Sequence, residues 1–159
     1  VSTGHAGLSS IHADSIRAVI NRLTSEPMNI PRTMLSGLDF VILQSKMTRG
    51  EKVVRRVTEV VEITGFDART NELLTNQVFS YDYRADSHVF MGRCYKLEEI
   101  AGSIGLSMDD VQAELENRRL VLDWMVKNNI RKYREVAQVV RNYYQRPDEV
   151  LRKVRLEMM

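Results

Sequence analysis

From Lys52 to Ile63 the chain reads KVVRRVTEVVEI. Val53, Val57, Val61 and Ile63 fall at even spacing, and Arg56, Thr58 and Glu62 fall on the opposite face. That is the period of two expected of a strand with one buried face. Upstream, the run FVIL at Phe40–Leu43 reads as a fully buried strand. Downstream, DARTNE (Asp67–Glu72) is turn-forming, and Leu73, Thr75, Gln77, Phe79, Tyr81 and Tyr83 resume the strand period. Residues 40–91 are therefore expected to hold three or four strands of mostly antiparallel character.

On either side the pattern is helical. Gly7–Ala13 (GLSSIHA) reads as a short buried strand ending in a polar turn. Asp14 is placed to cap a helix whose apolar face is Ile16, Val19, Ile20 and Leu23, and Glu26-Pro27 ends it. Pro31 suits the first turn of a short helix carrying Met34, Leu35 and Leu38. After Gly92, Leu97, Ile100, Ala101 and Ile104 share one helical face. Ser107 caps a longer helix with Val111, Leu115, Leu122 and Met125 facing inward. A third helix carries Val136, Val139, Val140 and Tyr143, and Pro147 opens a fourth with Val150, Leu151 and Val154. The expected organisation is an α/β domain over residues 1–91 followed by an all-α bundle over residues 92–159.

Composition narrows the function classes. Of 159 residues, 43% are hydrophobic and 28% charged, which is globular and excludes wholesale disorder. The net charge of +2 is too small to point to a polyanion partner. No apolar run approaches the ~18 residues of a membrane span. Cys94 is the sole cysteine, so neither an intrachain disulfide nor a Cys/His zinc set can form, and a reducing cytoplasm is expected. There is no G-x-x-x-x-G-K-[ST], no G-x-G-x-x-G and no G-x-S-x-G. The chain starts Val-Ser-Thr-Gly-His and enters patterned sequence at once, which reads as a piece of a longer protein.

Of the three histidines, His12 stands out. It ends the expected strand and precedes a helix start, and strand carboxyl ends face the ligand crevice of α/β sheets. An imidazole there can donate to a phosphate oxygen. His5, seven residues earlier, can flank the same crevice, whereas His88 lies in the strand-rich middle and reads as structural.

The run TGHAGLSSIHADSIRAVINRLTSEPMNIPRTMLSGLDFVILQ resembles the histidine-box region of the secretion and pilus motor ATPases. These are the P-loop motors of type II secretion, type IV pili, type IV secretion and the archaellum. The details ADS, NRLT, NIPR and RRVTEVVEI are most similar to the archaeal branch. The resemblance covers roughly residues 1–63. It implies the second half of a RecA-like fold, a homo-hexamer, and ATP hydrolysis with Mg2+ coupled to a polytopic membrane platform protein at the inner face of the cell membrane. It also implies that the phosphate-binding loop, the acidic box and the magnesium-site strand precede Val1. His12 matches the second histidine of the box and His5 the first, with the implied role of sensing the γ-phosphate or ordering the attacking water. Arg55 and Arg56 match a basic position in the following strand. They read either as contacts to nucleotide phosphates, in the same subunit or a neighbour, or as a solvated strand face.

The tail offers a competing class. LEEIAGSIGLSMDDVQAEL has the form of a helix-turn-helix, with Gly105 at the turn. Yet Glu98–Glu116 contains six acids and no Lys or Arg, the wrong sign for phosphates, so no nucleic-acid partner is expected. From Arg118 onward, eleven basic residues face five acids, with Tyr133, Tyr143 and Tyr144 interleaved. That surface reads as a docking face for a membrane-bound partner or anionic lipid, or as a solvated face of the bundle.

Overall fold

A computed structural model describes residues 6–159, which divide into compact units of residues 6–99 and 100–159. In the first unit, α1 (Ile16–Thr24) and α2 (Arg32–Leu35) precede four strands, β1 (Phe40–Arg49), β2 (Lys52–Asp67), β3 (Glu72–Asp82) and β4 (Ser87–Phe90). The strands form one antiparallel sheet in the order β1-β2-β3-β4. The fold is mixed α/β, with every strand joined to the next by a tight turn. Gly50 at φ +56 takes the first corner of the β1–β2 turn, the position that a two-residue hairpin gives to a glycine. At the β3–β4 turn the Asp82 carboxylate accepts the backbone N–H of Arg84 and Ala85, and Asp86 sits at φ +53. Bulges interrupt the register between Leu43 and Gln44 and between Val60 and Val61, and they bend the long β2. Leu43, Val61, Ile63, Val78, Tyr81 and Leu35 are buried in this unit, with α2 against β3.

Three local expectations are corrected. Phe40–Leu43 is a strand but not a fully buried one, since β1 lies at an edge of the sheet and leaves Phe40 and Ile42 exposed. Residues 7–13 form no regular strand, and the Leu8 side chain is fully exposed. A buried strand needs hydrogen-bonded neighbours on both sides. The four strands here pair only with each other, and this apolar stretch takes up neither open edge of the sheet, at β1 or β4. The α1 cap is Ser15, whose hydroxyl accepts the Ala18 N–H, while Asp14 accepts the Ser15 hydroxyl. The cap is one residue later than the Asp14 expected, because Ser15 holds the extended conformation (φ −154°) from which a side chain reaches the N3 amide.

The helix α3 (Tyr95–Ile104) contains the division between units, and α4 (Met108–Lys127), α5 (Tyr133–Gln145) and α6 (Pro147–Met158) follow. Gly105 at φ +71 ends α3. Ser107 and Asp110 then form a capping box on α4. Pro147 opens α6 in the first turn, where its missing N–H costs nothing. The second unit is held by Val121, Trp124, Met125, Tyr143, Leu151 and the fully buried Val154. Its one indole is anchored, with Trp124 Nε1 donating to Glu157 at 2.7 Å.

Candidate functional site

His12 lies on the surface in the irregular stretch before α1. Its backbone carbonyl accepts a hydrogen bond from Arg22 in the last turn of α1, at 3.1 Å. This ties the segment down while the imidazole bonds to no described residue. His5 lies outside the described residues. Two surface grooves occur nearby in sequence or on the sheet. One is lined by Asn21, Arg22, Ser25, Glu26, Pro27 and Met28, and the other by Thr64, Thr75, Asn76, Tyr95, Lys96 and Glu99. Neither contains His12.

Arg55 and Arg56 are separated by the pleat. Arg55 is exposed and stands directly across the β1–β2 pair from Lys46, a like-charge pair with no acidic partner among the described residues. Arg56 is fully engaged. Its Nε and Nη2 donate to the two carboxylate oxygens of Asp86 at 2.7 and 2.9 Å, and its Nη1 donates to the Arg55 carbonyl. The planar guanidinium is satisfied by a planar carboxylate presented from the next hairpin.

Asp86 is the residue that sequence reasoning missed. It also accepts the Tyr81 hydroxyl and lies 3.5 Å from Arg49. The Arg56 guanidinium, then the Tyr81 hydroxyl, hold its carboxyl well below the usual carboxylate range. Tyr81 in turn stacks against Tyr83 and His88, and His88 Nε2 lies 2.9 Å from the Val57 carbonyl. His88 thus packs among the strands, where the sequence places it. The signal for Asp86 lay only in the turn YDYRADSH, which looks like any polar hairpin.

A second carboxylate, Glu62, is completely buried. Its oxygens accept Asn76 Nδ2 at 2.7 Å and the backbone N–H groups of Tyr95 and Lys96 at 2.9 and 3.0 Å, with the Cys94 thiol at 3.5 Å. Burial pushes its pKa up, but the donated hydrogen bonds outweigh burial and hold it below the usual glutamate range. A negative charge at the start of α3 also complements the helix dipole. Burial and this carboxylate together push the Cys94 thiol up, so the sole cysteine is an inert, buried side chain.

No hydrogen bond or ion pair joins His12 to Arg55 or Arg56 among the described residues. They also contain no group of three His, Cys, Asp or Glu side chains arranged to hold a metal ion. No helix among them is long and apolar enough to cross a membrane.

No family model matches the chain. It is similar to three proteins of Methanocaldococcus jannaschii. Uncharacterized protein MJ0781 is 35% identical over 146 residues, covering 92% of this chain and 20% of its own length. Uncharacterized protein MJ1287 is 38% identical over 118 residues, covering 74% of this chain and 44% of its own length. Uncharacterized protein MJ0900 is 35% identical over 150 residues, covering 92% of this chain and 27% of its own length. The chain thus spans less than half the length of each of these relatives.

Proposed function

We propose that these residues are the sensor and coupling portion of a secretion, pilus or archaellum motor ATPase. In this reading residues 1–91 complete a RecA-like P-loop domain, and the helices that follow transmit its state to a partner. The intact protein works as a homo-hexamer at the cytoplasmic face of a membrane platform protein. The observation that carries the reading is the placement of His12. Within the stretch that resembles the histidine box, its backbone is pinned by Arg22 and its imidazole is left exposed. A pinned backbone with a free ring is what a side chain needs to meet a ligand held by other parts of a protein.

The described residues do not by themselves fit ATP and Mg2+. They present no phosphate-binding loop and no acidic metal cluster, and Arg56 is committed to Asp86. Nucleotide and metal binding are assigned to sequence outside this chain, which agrees with its share of the M. jannaschii relatives' length. His12 and the unpaired Arg55 are the groups this chain offers. The alternative reading as a DNA-binding helix-turn-helix is disfavoured by α4, whose first turn carries Asp109 and Asp110.

The test is magnesium-dependent phosphate release by the intact protein, wild type against His12→Ala. Expected is a fall of about 10²–10³ in kcat, the usual cost of one positioned donor or acid/base group, with nucleotide affinity nearly unchanged. The 159-residue chain alone should release no phosphate. An intact protein without ATP turnover, or with turnover indifferent to His12→Ala, would overturn the reading.

A further inference from the structure

The second unit leaves two helix faces uncovered, and they are built alike. On α4, exposed apolar residues recur every seven positions, Met108, Leu115 and Leu122, with Val126 one turn further on. Each of the first three is followed at once by an acid, Asp109, Glu116 and Asp123. On α5, Tyr133 and Val140 are also seven apart and exposed, with Tyr144 one turn on, and each of the first two is followed at once by an arginine, Arg134 and Arg141. These are not core residues, which corrects the expectation that Leu115 and Leu122 face inward. Leu122 is 56% exposed, Val126 69%, Tyr133 77% and Tyr144 69%. The buried faces of the same helices are elsewhere, at Val111, Val121 and Met125 on α4 and at Tyr143 on α5.

We propose that these faces are the two halves of a self-association seam, in which α4 of one copy packs antiparallel on α5 of a second copy of this chain. The geometry follows from helix periodicity. Seven residues are nearly two turns, so each set forms a straight stripe with dyads about 10.5 Å apart. The residue after each apolar position lies about 100° further round the helix. When two such helices face each other antiparallel, both charged rows fall on the same edge of the seam, and a parallel pairing would put them on opposite edges. Acids on α4 then meet arginines on α5 at matched spacing, flanking an apolar strip as charges flank a coiled-coil core.

Charge complementarity identifies the occupant. Arg134 and Arg141 form no ion pair with any described residue, and neither does Asp109. Arg119 bridges Glu116 and Asp123 at 2.9 Å to each, which leaves the three-acid row two net charges negative without removing its sign. Every copy carries both rows, so a second copy supplies the complement of each. The seam goes beyond the motor reading and does not depend on it, since it involves neither His12 nor nucleotide.

The experiment is sedimentation equilibrium of the 159-residue chain at low and high salt, with charge-reversed variants and their mixture. The wild type should self-associate, more weakly in high salt. Arg134→Glu with Arg141→Glu should weaken association by at least about tenfold, as should Glu116→Lys with Asp123→Lys. An equimolar mixture of the two double variants should restore it, because both seams regain opposite charges. Leu122→Ser removes an exposed apolar contact without touching the core, and it should weaken association with the fluorescence of Trp124 unchanged. A wild type that stays monomeric at millimolar concentration, association indifferent to both double variants, or a mixture that fails to recover would each overturn the seam.

Discussion

Glu62→Gln is the substitution most directly costed from the structure. One Glu62 oxygen accepts Asn76 Nδ2 and the Tyr95 N–H, and the other accepts the Lys96 N–H and the Cys94 thiol. A glutamine of the same shape has one accepting oxygen and one donating NH2. Its better orientation keeps Asn76 and Tyr95 and turns the NH2 toward Lys96 and Cys94, since a thiol is the weakest donor of the four. The Lys96 N–H is then unpaired beside another donor, at about 1–3 kcal/mol, and the two retained bonds lose their charge assistance. Together the loss is about 3 kcal/mol, or roughly 10–20 °C in the melting of a unit of this size. The assay is unfolding of the first unit followed by amide exchange, because Trp124 lies in the second unit and does not report on it. Tyr95 and Lys96 amides should exchange much faster in the variant. The pH dependence has a definite sign. A carboxylate held below its usual range contributes fully above about pH 4.3, and its contribution falls away as pH drops through the depressed value. Glu62→Gln should flatten that acid limb. Stability within about 0.5 kcal/mol of wild type, with both amides still protected, would refute the view that this buried charge anchors α3 to the sheet.

Asp86 gives a second acid-sensitive element. Its carboxyl is depressed by Arg56 and Tyr81, so the β3–β4 turn should be fully stable above the ordinary aspartate range and weaken as pH falls through the lowered value. Asp86→Asn should remove that dependence, read as exchange of the β4 amides between pH 2 and 6. Tyr143 is the alkaline counterpart. Burial, then its hydrogen bond to Glu114 at 2.8 Å, leaves its hydroxyl pushed up to about 12. Its contribution is intact below about pH 10 and is lost as pH rises through the folded value, so one of the six tyrosines should ionise last in an ultraviolet titration. Tyr143→Phe should abolish that final step at a cost of about 1 kcal/mol.

How much was legible from residues alone depends on how far away each residue's partner lies. Ser107 reads correctly as a cap because its partner, Asp110, is three residues on. Pro147 reads correctly because its effect is confined to its own first turn. The strand Val53–Ile63 is legible because its apolar period of two repeats over many residues, although burial does not follow that period, with Val53 exposed and Thr58 and Glu62 buried. Residues 7–13 carry the same apolar signal, yet a strand is defined by its neighbours, and this stretch pairs with neither edge of the sheet. The candidate site divides the same way. The place of His12 just before a helix was legible, whereas the strand it was expected to end is not formed. Arg56 was ambiguous because its partner, Asp86, lies thirty residues on, across two hairpins. Glu62 looked like a solvent-facing residue of an alternating strand, and nothing within its own strand says otherwise. Its burial is decided by Asn76, Cys94 and the first amides of α3, which meet it only once the sheet has formed. Buried charges are therefore where pattern reading fails first, because the alternation that marks a strand's polar face is blind to donors brought from elsewhere. In this chain the buried Glu62 and the part-exposed Asp86 both hold structure together, so the unpaired groups, His12, Arg55, Asp109, Arg134 and Arg141, are the ones left for contacts beyond it.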